Sequence, residues 1–261
     1  MYYGLRVTVR VSLSLMEIPI VVPFYKPSLS RNEMLRMNIN RFMNPLVIFV
    51  LPQSLRNTFV KNHGIKDEVL SFPDHWFRSR ESYSEFLLTS LLWGELCHYD
   101  KVLICQTDAV LIKPTYALKN LSYSLLGAPW IKTKNCAVLW NQLFVDYKKL
   151  FFLKKTKISV GNGGLSLRNP NHCLEVLQRA KKDLEILGSF EGKINEDIVF
   201  SFLFTKFKYS MPNAETALGF FMEEHTKDLV DVPDVYGFHA LQRFNPELEN
   251  KIFSKFSKLL N

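Results

Sequence analysis

Three polar residues interrupt an otherwise apolar run near the middle of the chain. Gln106, Thr107 and Asp108 separate Val102–Cys105 from Ala109–Ile112. A run of this kind is typical of a strand buried on both faces, where polar groups are costly unless they have hydrogen-bond partners. Asp108 is therefore either a hydrogen-bonded structural residue or a carboxylate that a central strand presents to a cleft.

Three later segments carry further candidates, and each also has a structural interpretation. Gly161-Asn162-Gly163-Gly164 lets the backbone approach a ligand, because glycine lacks a Cβ, yet Asn-Gly-Gly is also a hairpin signal. Glu196 and Asp197 start a predicted helix, where the helix dipole favours ionised carboxylates and where acids also act as caps. His239 is either a ligand or a packed residue.

Two more side chains are candidates for binding. Trp130, which follows Pro129, is either a packing residue or a platform for a sugar ring. Arg168 ends the stretch VGNGGLSLR, and its guanidinium is suited to contacting phosphate. None of these features specifies a function alone, so their order and the elements that carry them decide the interpretation.

The first half of the chain alternates apolar runs with helical patterns. Strands are predicted at 18–24, 45–51, 68–72 and 101–112. Helices are predicted between them, at 30–40, 54–63 and 79–98, the first with a Ser30–Glu33 capping box. This alternation predicts an α/β fold with a mostly parallel sheet, in which ligands bind at the carboxyl ends of strands.

The second half is less regular. Residues 132–156 are mixed and basic, which indicates an insertion or a mobile loop. A strand is predicted at 123–128 and a helix at 171–187, whereas 194–204 is a helix or a strand. Residues 246–261 predict a basic amphipathic helix, which either docks on the body of the protein or contacts an anionic membrane surface.

The composition limits the classes of protein to which this chain could belong. The 261 residues, 47% hydrophobic and 22% charged, are an ordinary globular balance for one large domain or two small ones. The net charge of +8 favours anionic partners, but no nucleic-acid-binding motif accompanies it, so nucleic acid is not expected as a partner. The four cysteines form no Cys-x-x-Cys pair, so neither a zinc site nor a thioredoxin-like motif is expected. Two of them lie in strongly apolar runs, where a free cysteine acts as a small hydrophobic residue, and this usage favours a reducing, cytoplasmic compartment.

The order of the candidate residues resembles that of the GT-A glycosyltransferases. Those enzymes have an Asp-x-Asp motif, a glycine-rich loop, an x-Glu-Asp motif and a C-terminal histidine. Residues 18–245 are also similar to a bacterial glycosyltransferase-like family found with surface-polysaccharide genes. The shared motifs correspond to Gln106–Asp108, Gly127–Trp130, Gly161–Arg168, Asn195–Asp197 and Gly237–His239.

The resemblance implies an architecture. It predicts a GT-A-like, Rossmann-like central sheet, mostly parallel and flanked by helices, in one catalytic domain spanning residues 16–245. Residues 246–261 then form a C-terminal helical tail. Residues 1–15 are expected to be a non-native or disordered extension that precedes Met16.

The resemblance also implies an activity. It predicts an inverting, metal-dependent transfer of sugar from a nucleotide-diphosphate donor, a UDP-sugar, to a glycan or lipid-linked acceptor. The product would be a surface polysaccharide such as lipopolysaccharide or capsule, made in the cytoplasm with a possible peripheral contact at the inner membrane face. Two alternatives stay open, a non-catalytic nucleotide- or sugar-binding module and a nucleotidyltransferase. The second alternative is disfavoured because no glycine-rich, lysine-bearing loop follows the first strand.

Residue roles follow from the same resemblance. Asp108 and His239 are the expected ligands of Mn²⁺ or Mg²⁺, and Asp197 is the expected base, with Glu196 as the second candidate. Gln106 stands where the metal motif has its first Asp, which weakens the expected metal site. The residues expected to contact donor or acceptor are Gln106, Thr107, Trp130, Gly161, Asn162, Gly163, Gly164 and Arg168.

Overall fold

A six-stranded sheet runs through the centre of the computed structural model, which describes residues 18–63, 68–139, 142–146, 155–184 and 195–260. The strands in chain order are β1 (Ile20–Pro23), β2 (Val47–Pro52), β3 (Glu68–Phe72), β4 (Val102–Cys105), β5 (Ala109–Leu111), β6 (Leu125–Gly127), β7 (Pro129–Leu139), β8 (Gln142–Val145), β9 (Thr156–Val160), β10 (Leu165–Arg168), β11 (Phe221–Met222) and β12 (Gly237–His239). The helices are α1 (Arg31–Met43), α2 (Arg56–His63), α3 (Arg80–Leu87), α4 (Leu91–Leu96), α5 (Pro170–Arg179), α6 (Glu196–Lys206), α7 (Ala214–Leu218), α8 (Leu241–Phe244) and α9 (Pro246–Leu260).

The central sheet has the strand order β3-β2-β1-β4-β10-β6. Strands β3, β2, β1 and β4 are parallel to one another, and β10 is antiparallel to both of its neighbours. Alternate residues of β1 point into two separate hydrophobic clusters, Ile20 and Val22 into one and Val21 into the other. The sheet is therefore buried on both faces, and the predicted α/β class with a mostly parallel sheet is confirmed.

The helix α1 confirms the predicted capping box. The Ser30 hydroxyl accepts a hydrogen bond from the Glu33 N–H at 3.3 Å, and the Glu33 carboxylate accepts one from the Ser30 N–H at 2.9 Å. These two bonds satisfy backbone donors that the first turn leaves without intrahelical partners. Glu33 also projects from this first turn toward the end of β1, which matters for the site described below.

The single strand predicted at 101–112 is wrong, because the chain turns at Gln106–Asp108 and continues in another sheet. The Gln106 carbonyl accepts from the Ala109 N–H at 2.9 Å, which closes the turn. Beyond the turn, the Asn40 side chain donates to the Ala109 carbonyl at 3.0 Å and accepts from the Leu111 N–H at 2.8 Å. Strand β5 thus leaves the central sheet and pairs with β12, which in turn pairs with β11.

The single helix predicted at 79–98 is also wrong, since α3 and α4 are separate. The Thr89 hydroxyl donates to the Phe86 carbonyl at 2.7 Å and accepts from the Leu91 N–H at 3.2 Å. The Trp93 indole N–H donates to the Leu87 carbonyl at 2.7 Å. These side-chain hydrogen bonds occupy backbone groups that would pair with one another in a continuous helix. The helix therefore breaks between α3 and α4.

Part of the region expected to be an insertion or mobile loop is a small sheet. Strands β8, β7 and β9 pair antiparallel in that order. Residues 140–141 and 147–154 of the region lie outside the described residues, as do 1–17, on which the expected N-terminal extension falls. The helix predicted at 171–187 is α5, followed by a π-helical turn over Ala180–Leu184; residues 185–187 also lie outside.

The C-terminal helix α9 docks on the body of the protein. Leu248, Ile252 and Phe256 are each at most 3% exposed and belong to the core cluster that includes Ile20. Of the two interpretations of the amphipathic tail, the packing supports docking, because these three apolar residues of the helix are already covered by the core. Among the described residues, no helix is both long enough and apolar enough to cross a bilayer.

Candidate active site

The register of the sheet brings the polar turn and the glycine turn together. Strand β10 pairs with β4 so that Leu165 lies opposite Cys105. One step beyond this pair, the Gln106 N–H donates to the Gly164 carbonyl at 2.8 Å. The turn Gln106–Asp108 and the turn Gly161–Gly164 therefore lie side by side at the carboxyl end of β4.

A second pairing brings His239 to the same place. In the antiparallel pair of β12 and β5, His239 lies opposite Ala109, and the Ala240 N–H donates to the Asp108 carbonyl at 3.1 Å. Ala240 adopts a left-handed conformation with φ 54°, an uncommon one for a residue with a Cβ. His239 Nε2 lies 3.2 Å from Asp108 Oδ1 as a result.

A cleft of about 530 Å³ opens over these turns. The sequence-predicted residues on its wall are Gln106, Thr107, Asp108, Asn162, Gly163, Gly164, Glu196, Asp197 and His239. Three other predicted residues, Trp130, Gly161 and Arg168, do not line it. Residues separated by more than a hundred positions in the chain thus share one surface, at the end of the sheet where α/β folds bind ligands.

Glu223 is a residue of the cleft that the sequence analysis missed. Its Oε1 lies 2.9 Å from His239 Nδ1, and its Oε2 accepts a hydrogen bond from the Asn162 amide. Burial favours a lower pKa for His239, but hydrogen bonds and charge interactions with Asp108 and Glu223 outweigh it and raise the pKa to about 9. The only signal for Glu223 in the sequence was a weak one, namely an acid just after a short apolar segment.

Asp197 and Glu196 occupy the first turn of α6 with different surroundings. Asp197 Oδ1 accepts from the Ile198 N–H at 2.7 Å. Burial, followed by the negative charge of Glu196, raises the pKa of Asp197 to about 7. Glu196 is 6% exposed and accepts hydrogen bonds from Ser84 Oγ at 3.1 Å and Arg168 Nη2 at 3.4 Å. Asp197 is thus the carboxylate of the pair that is poised to exchange a proton near neutral pH.

Arg168 does not have the surroundings of a phosphate ligand. Its side chain is 0% exposed and lies against the rings of both Trp93 and Phe200, with Nε donating to Ser166 Oγ at 3.0 Å. Its ion pair with Glu196 holds the guanidinium behind the cleft. The expected contact with phosphate is therefore corrected to a supporting contact beneath α6.

Trp130 and Gly161 also do not have the positions that their expected binding roles require. Trp130 is half-buried against the cluster that contains Val21, with the Lys134 ammonium 5.3 Å from its ring centroid. Gly161 has φ 132°, which a residue with a Cβ rarely adopts, and an added Cβ would overlap Ser201 Oγ. Trp130 packs, and Gly161 shapes the turn, so neither offers a surface to a sugar inside the cleft.

The two remaining glycines leave room for charged side chains. An added Cβ on Gly163 would overlap Glu196 Oε1, and one on Gly164 would overlap the His239 imidazole. The glycine run therefore does more than turn the chain from β9 into β10, which belong to different sheets. Because glycine has no Cβ, the backbone of this turn can lie directly against the His239 imidazole and the Glu196–Asp197 pair in the cleft.

We expect Gly164→Ala to disturb the imidazole selectively. The new methyl group would overlap the imidazole, so His239 or the turn must shift. If Asp108 and His239 hold Mn²⁺, its affinity should then fall by roughly 10- to 100-fold, as it does when support of a ligand is lost. Calorimetric titration of Mn²⁺ measures this change. Gly94→Ala is the matched control, since an added Cβ there meets nothing within 4 Å. An unchanged Mn²⁺ affinity in Gly164→Ala would contradict the placement of His239.

Asp108 and His239 fit a divalent cation as a pair of ligands once the cation displaces the Nε2 proton that the raised pKa of His239 retains. Their facing atoms, Oδ1 and Nε2, are 3.2 Å apart, and neighbouring ligands of an octahedral ion with bonds of about 2.1 Å are separated by about 3 Å. Glu223 contacts the opposite ring nitrogen, as the carboxylates behind metal-binding histidines do. Within the described residues no cluster of three or more His, Cys, Asp or Glu side chains could hold a metal, so other ligands would come from substrate and water.

Thr107 connects the polar turn to the first helix. Its hydroxyl donates to Glu33 Oε1 at 2.9 Å, and the Lys26 ammonium contacts the same oxygen at 2.6 Å. Burial favours a higher pKa for Glu33, but hydrogen bonds from Lys26, Ser30 and Thr107 together lower it to about 2. Glu33 is therefore ionised, and Lys26 is largely compensated by it.

Comparison with protein families gives one match. A family model described as "Protein of unknown function (DUF5672)" matches residues 66–239. No curated protein matches the sequence. The match includes the polar turn, the glycine turn, the acid pair and His239, whereas the cleft residues before position 66 and after position 239 lie outside it.

Comparison with solved structures gives similar folds at low identity. The glycosyltransferase GlyE of Streptococcus pneumoniae has a TM-score of 0.50 and 11% identity over 94% of this chain and 62% of that chain. Mouse xyloside xylosyltransferase 1 has a TM-score of 0.42 and 10% identity over 72% of this chain and 82% of that chain. HddC of Yersinia pseudotuberculosis has a TM-score of 0.35 and 10% identity over 61% and 80%. The likeness to GlyE extends along almost the whole chain and shows a shared fold.

Proposed function

The chain belongs to the DUF5672 family of proteins of unknown function, and from its cleft we propose that it is a glycosyltransferase. It transfers a sugar from a nucleotide-diphosphate donor, a UDP-sugar, to a glycan or lipid-linked acceptor in bacterial surface polysaccharide synthesis. The observation that carries the proposal is the convergence of the Asp108–His239 pair and Asp197 on one cleft. The fold shared with GlyE supports it.

One side of the cleft suits the diphosphate of the donor. Asp108 and His239 would hold Mn²⁺ or Mg²⁺, which offsets the charge that develops on the departing nucleoside diphosphate. Glu223 keeps the His239 ring oriented with Nε2 toward Asp108. Arg243, an exposed cation that also lines the cleft and follows Ala240 by three residues, would contact the phosphates.

The other side of the cleft suits proton removal from the acceptor. Asp197 accepts the proton of the acceptor hydroxyl as its oxygen bonds to the anomeric carbon, while the bond from that carbon to the diphosphate oxygen breaks. Direct displacement of this kind inverts the anomeric configuration. Glu196 is not free for this role, because Arg168 and Ser84 occupy its carboxylate.

The rate of transfer is expected to depend on the ionisation of Asp197. Only the carboxylate can accept a proton, and its pKa is about 7, so kcat/KM should fall roughly tenfold for each pH unit below that value and level off above it. A pH–rate profile with a saturating cation measures this limb. A limb near pH 4, where an exposed aspartate titrates, would contradict the raised pKa of the base.

A thermal-shift panel tests the proposed function most directly. UDP and UDP-sugars should raise the melting temperature when Mn²⁺ or Mg²⁺ is present, because a ligand that binds the folded state stabilises it. In Asp108→Asn, the cation should no longer increase the stabilisation of the protein by UDP or UDP-sugars. If no nucleotide or nucleotide sugar stabilises the wild-type protein with either cation, the glycosyltransferase proposal fails.

A further inference from the structure

Two exposed arginines lie on the cleft wall without an ion-pair partner among the described residues. Arg78 follows a short 3-10 helix, and Arg80 is the first residue of α3; both line the cleft. Asp74 and Glu81 are close enough to interact electrostatically with Arg78 and Arg80, respectively, but among the described residues no ion pair joins these acids to the two guanidiniums. The two guanidiniums are therefore available to an anionic group that enters the cleft.

These arginines belong to the wall that contains the acid pair. Ser84 of α3 donates to Glu196 of α6 at 3.1 Å, which ties the two helices together next to Asp197. Arg80 precedes Ser84 by four residues, so it lies on the same face of α3, about 6 Å further along the helix axis. Arg80 is thus about one helical turn from the contact that holds the acid pair.

The other cations of the cleft have different assignments. Lys26 is paired with Glu33 at 2.6 Å on the opposite wall. Arg243 lies near His239, on the side where the donor diphosphate is proposed to bind. Among the described residues, Arg78 and Arg80 are the cleft cations that lie beside the helix holding the acid pair and form no ion pair with a carboxylate.

We propose that Arg78 and Arg80 form a second anion subsite, which binds a phosphate or diphosphate group carried by the acceptor. The proposal rests on the glycosyltransferase function and deepens it. An acceptor hydroxyl at Asp197 would place the phosphate within reach of the arginines if the phosphate is attached to the acceptor sugar. Guanidinium groups suit this role, because they bind phosphate oxygens through two parallel N–H donors. The net charge of +8 also favours an anionic acceptor.

Calorimetric titration of inorganic pyrophosphate into the protein saturated with UDP and Mn²⁺ tests the subsite. In the Arg78→Gln/Arg80→Gln variant, we expect pyrophosphate affinity to fall at least about tenfold, since two charge-assisted contacts are lost. The affinity for UDP should stay unchanged. Lys61→Gln/Lys119→Gln is the matched control, because it removes the same charge from exposed positions outside the cleft.

Two further ligands identify the source of the phosphate. Farnesyl diphosphate binding more tightly than pyrophosphate indicates a lipid-linked acceptor, whereas glucose 1-phosphate binding more tightly indicates a phosphorylated glycan. Either result supports the subsite if the gain is lost in Arg78→Gln/Arg80→Gln. The control variant should retain it.

Two results would overturn the subsite. One is a wild-type protein that binds no pyrophosphate once UDP is bound. The other is a loss of UDP affinity in Arg78→Gln/Arg80→Gln that matches the loss of pyrophosphate affinity, since the arginines would then serve the donor. A wild-type protein that binds no UDP contradicts the glycosyltransferase proposal instead, and the pyrophosphate titration without UDP then still decides whether Arg78 and Arg80 bind an anion.

Discussion

Replacing Asp197 with asparagine is expected to lower the rate of sugar transfer by about 10³-fold, within the range that general bases contribute. Asparagine has nearly the same shape, and its carbonyl can still accept the hydrogen bond from the Ile198 N–H. It cannot accept the proton of the acceptor hydroxyl at neutral pH. Donor affinity and melting temperature should therefore stay close to those of the wild type, measured by calorimetry and thermal unfolding beside the rate of UDP release.

Glu196→Gln is the informative comparison for this experiment. The change leaves the buried Arg168 charge without its carboxylate partner, so its main effect should be a loss of stability. Asp197→Asn should thus lose activity without losing stability, whereas Glu196→Gln should lose stability first. If Asp197→Asn retains transfer activity, another group must remove the proton, and the assignment of the base is wrong.

Replacing Arg36 with methionine is expected to destabilise the protein by about 3–5 kcal/mol, the cost of leaving one partner of a buried ion pair uncompensated. Arg36 is 3% exposed, and its Nε and Nη2 both lie 2.8 Å from Glu249 Oε1 in α9. Its Nη1 also donates to the Thr107 carbonyl at 3.2 Å, and its Nη2 to Gln242 Oε1 at 3.1 Å. Denaturant unfolding measures the loss.

The double variant Arg36→Met/Glu249→Met separates stability from positioning. Two apolar side chains of similar length should restore most of the stability, because no buried charge is left without a partner. The Thr107 carbonyl still lacks its donor, so amide hydrogen exchange across 106–109 should remain faster than in the wild type. Glu247→Gln, an exposed position in the same helix, should change neither quantity.

A double variant as unstable as Arg36→Met would show that the ion pair is not what stabilises this contact. Exchange across 106–109 at the wild-type rate would show that Arg36 does not hold the turn. The expected result instead makes α9 part of the support for Asp108.

The elements of the chain were largely predictable because local patterns specify them. Ser30 and Glu33 predict a helix start from groups three residues apart, and the structure has that capping box. The strand at 68–72 was predicted with the bounds that the structure shows. The first depends on an interaction between near neighbours, and the second is a short strand at the edge of the sheet whose residue types favour an extended conformation. Local sequence reports both.

Interactions with distant residues explain where the predictions failed. No residue near Gln106–Asp108 in the sequence indicates that the Asn40 side chain will form hydrogen bonds with the backbone of the next segment, or that this segment will enter another sheet. Similarly, an arginine that follows an apolar strand is expected in solvent until Glu196 is found to pair with it inside the protein. Glu223 reaches the cleft through a contact with His239 that spans sixteen positions.

By itself, the sequence determined the α/β class and the alternation of strands and helices along the first half of the chain. It also determined the types of residues that could bind a diphosphate or act as a base. Tertiary structure alone decided which of them meet. The register of β10 on β4 and of β12 on β5 places Gly164 and His239 against the Asp108 turn. Burial and charge then separate Asp197, exposed to the cleft with a raised pKa, from Glu196, which Arg168 holds beneath it. Such pairings depend on packing free energies summed over the whole core, which no local pattern of residues contains.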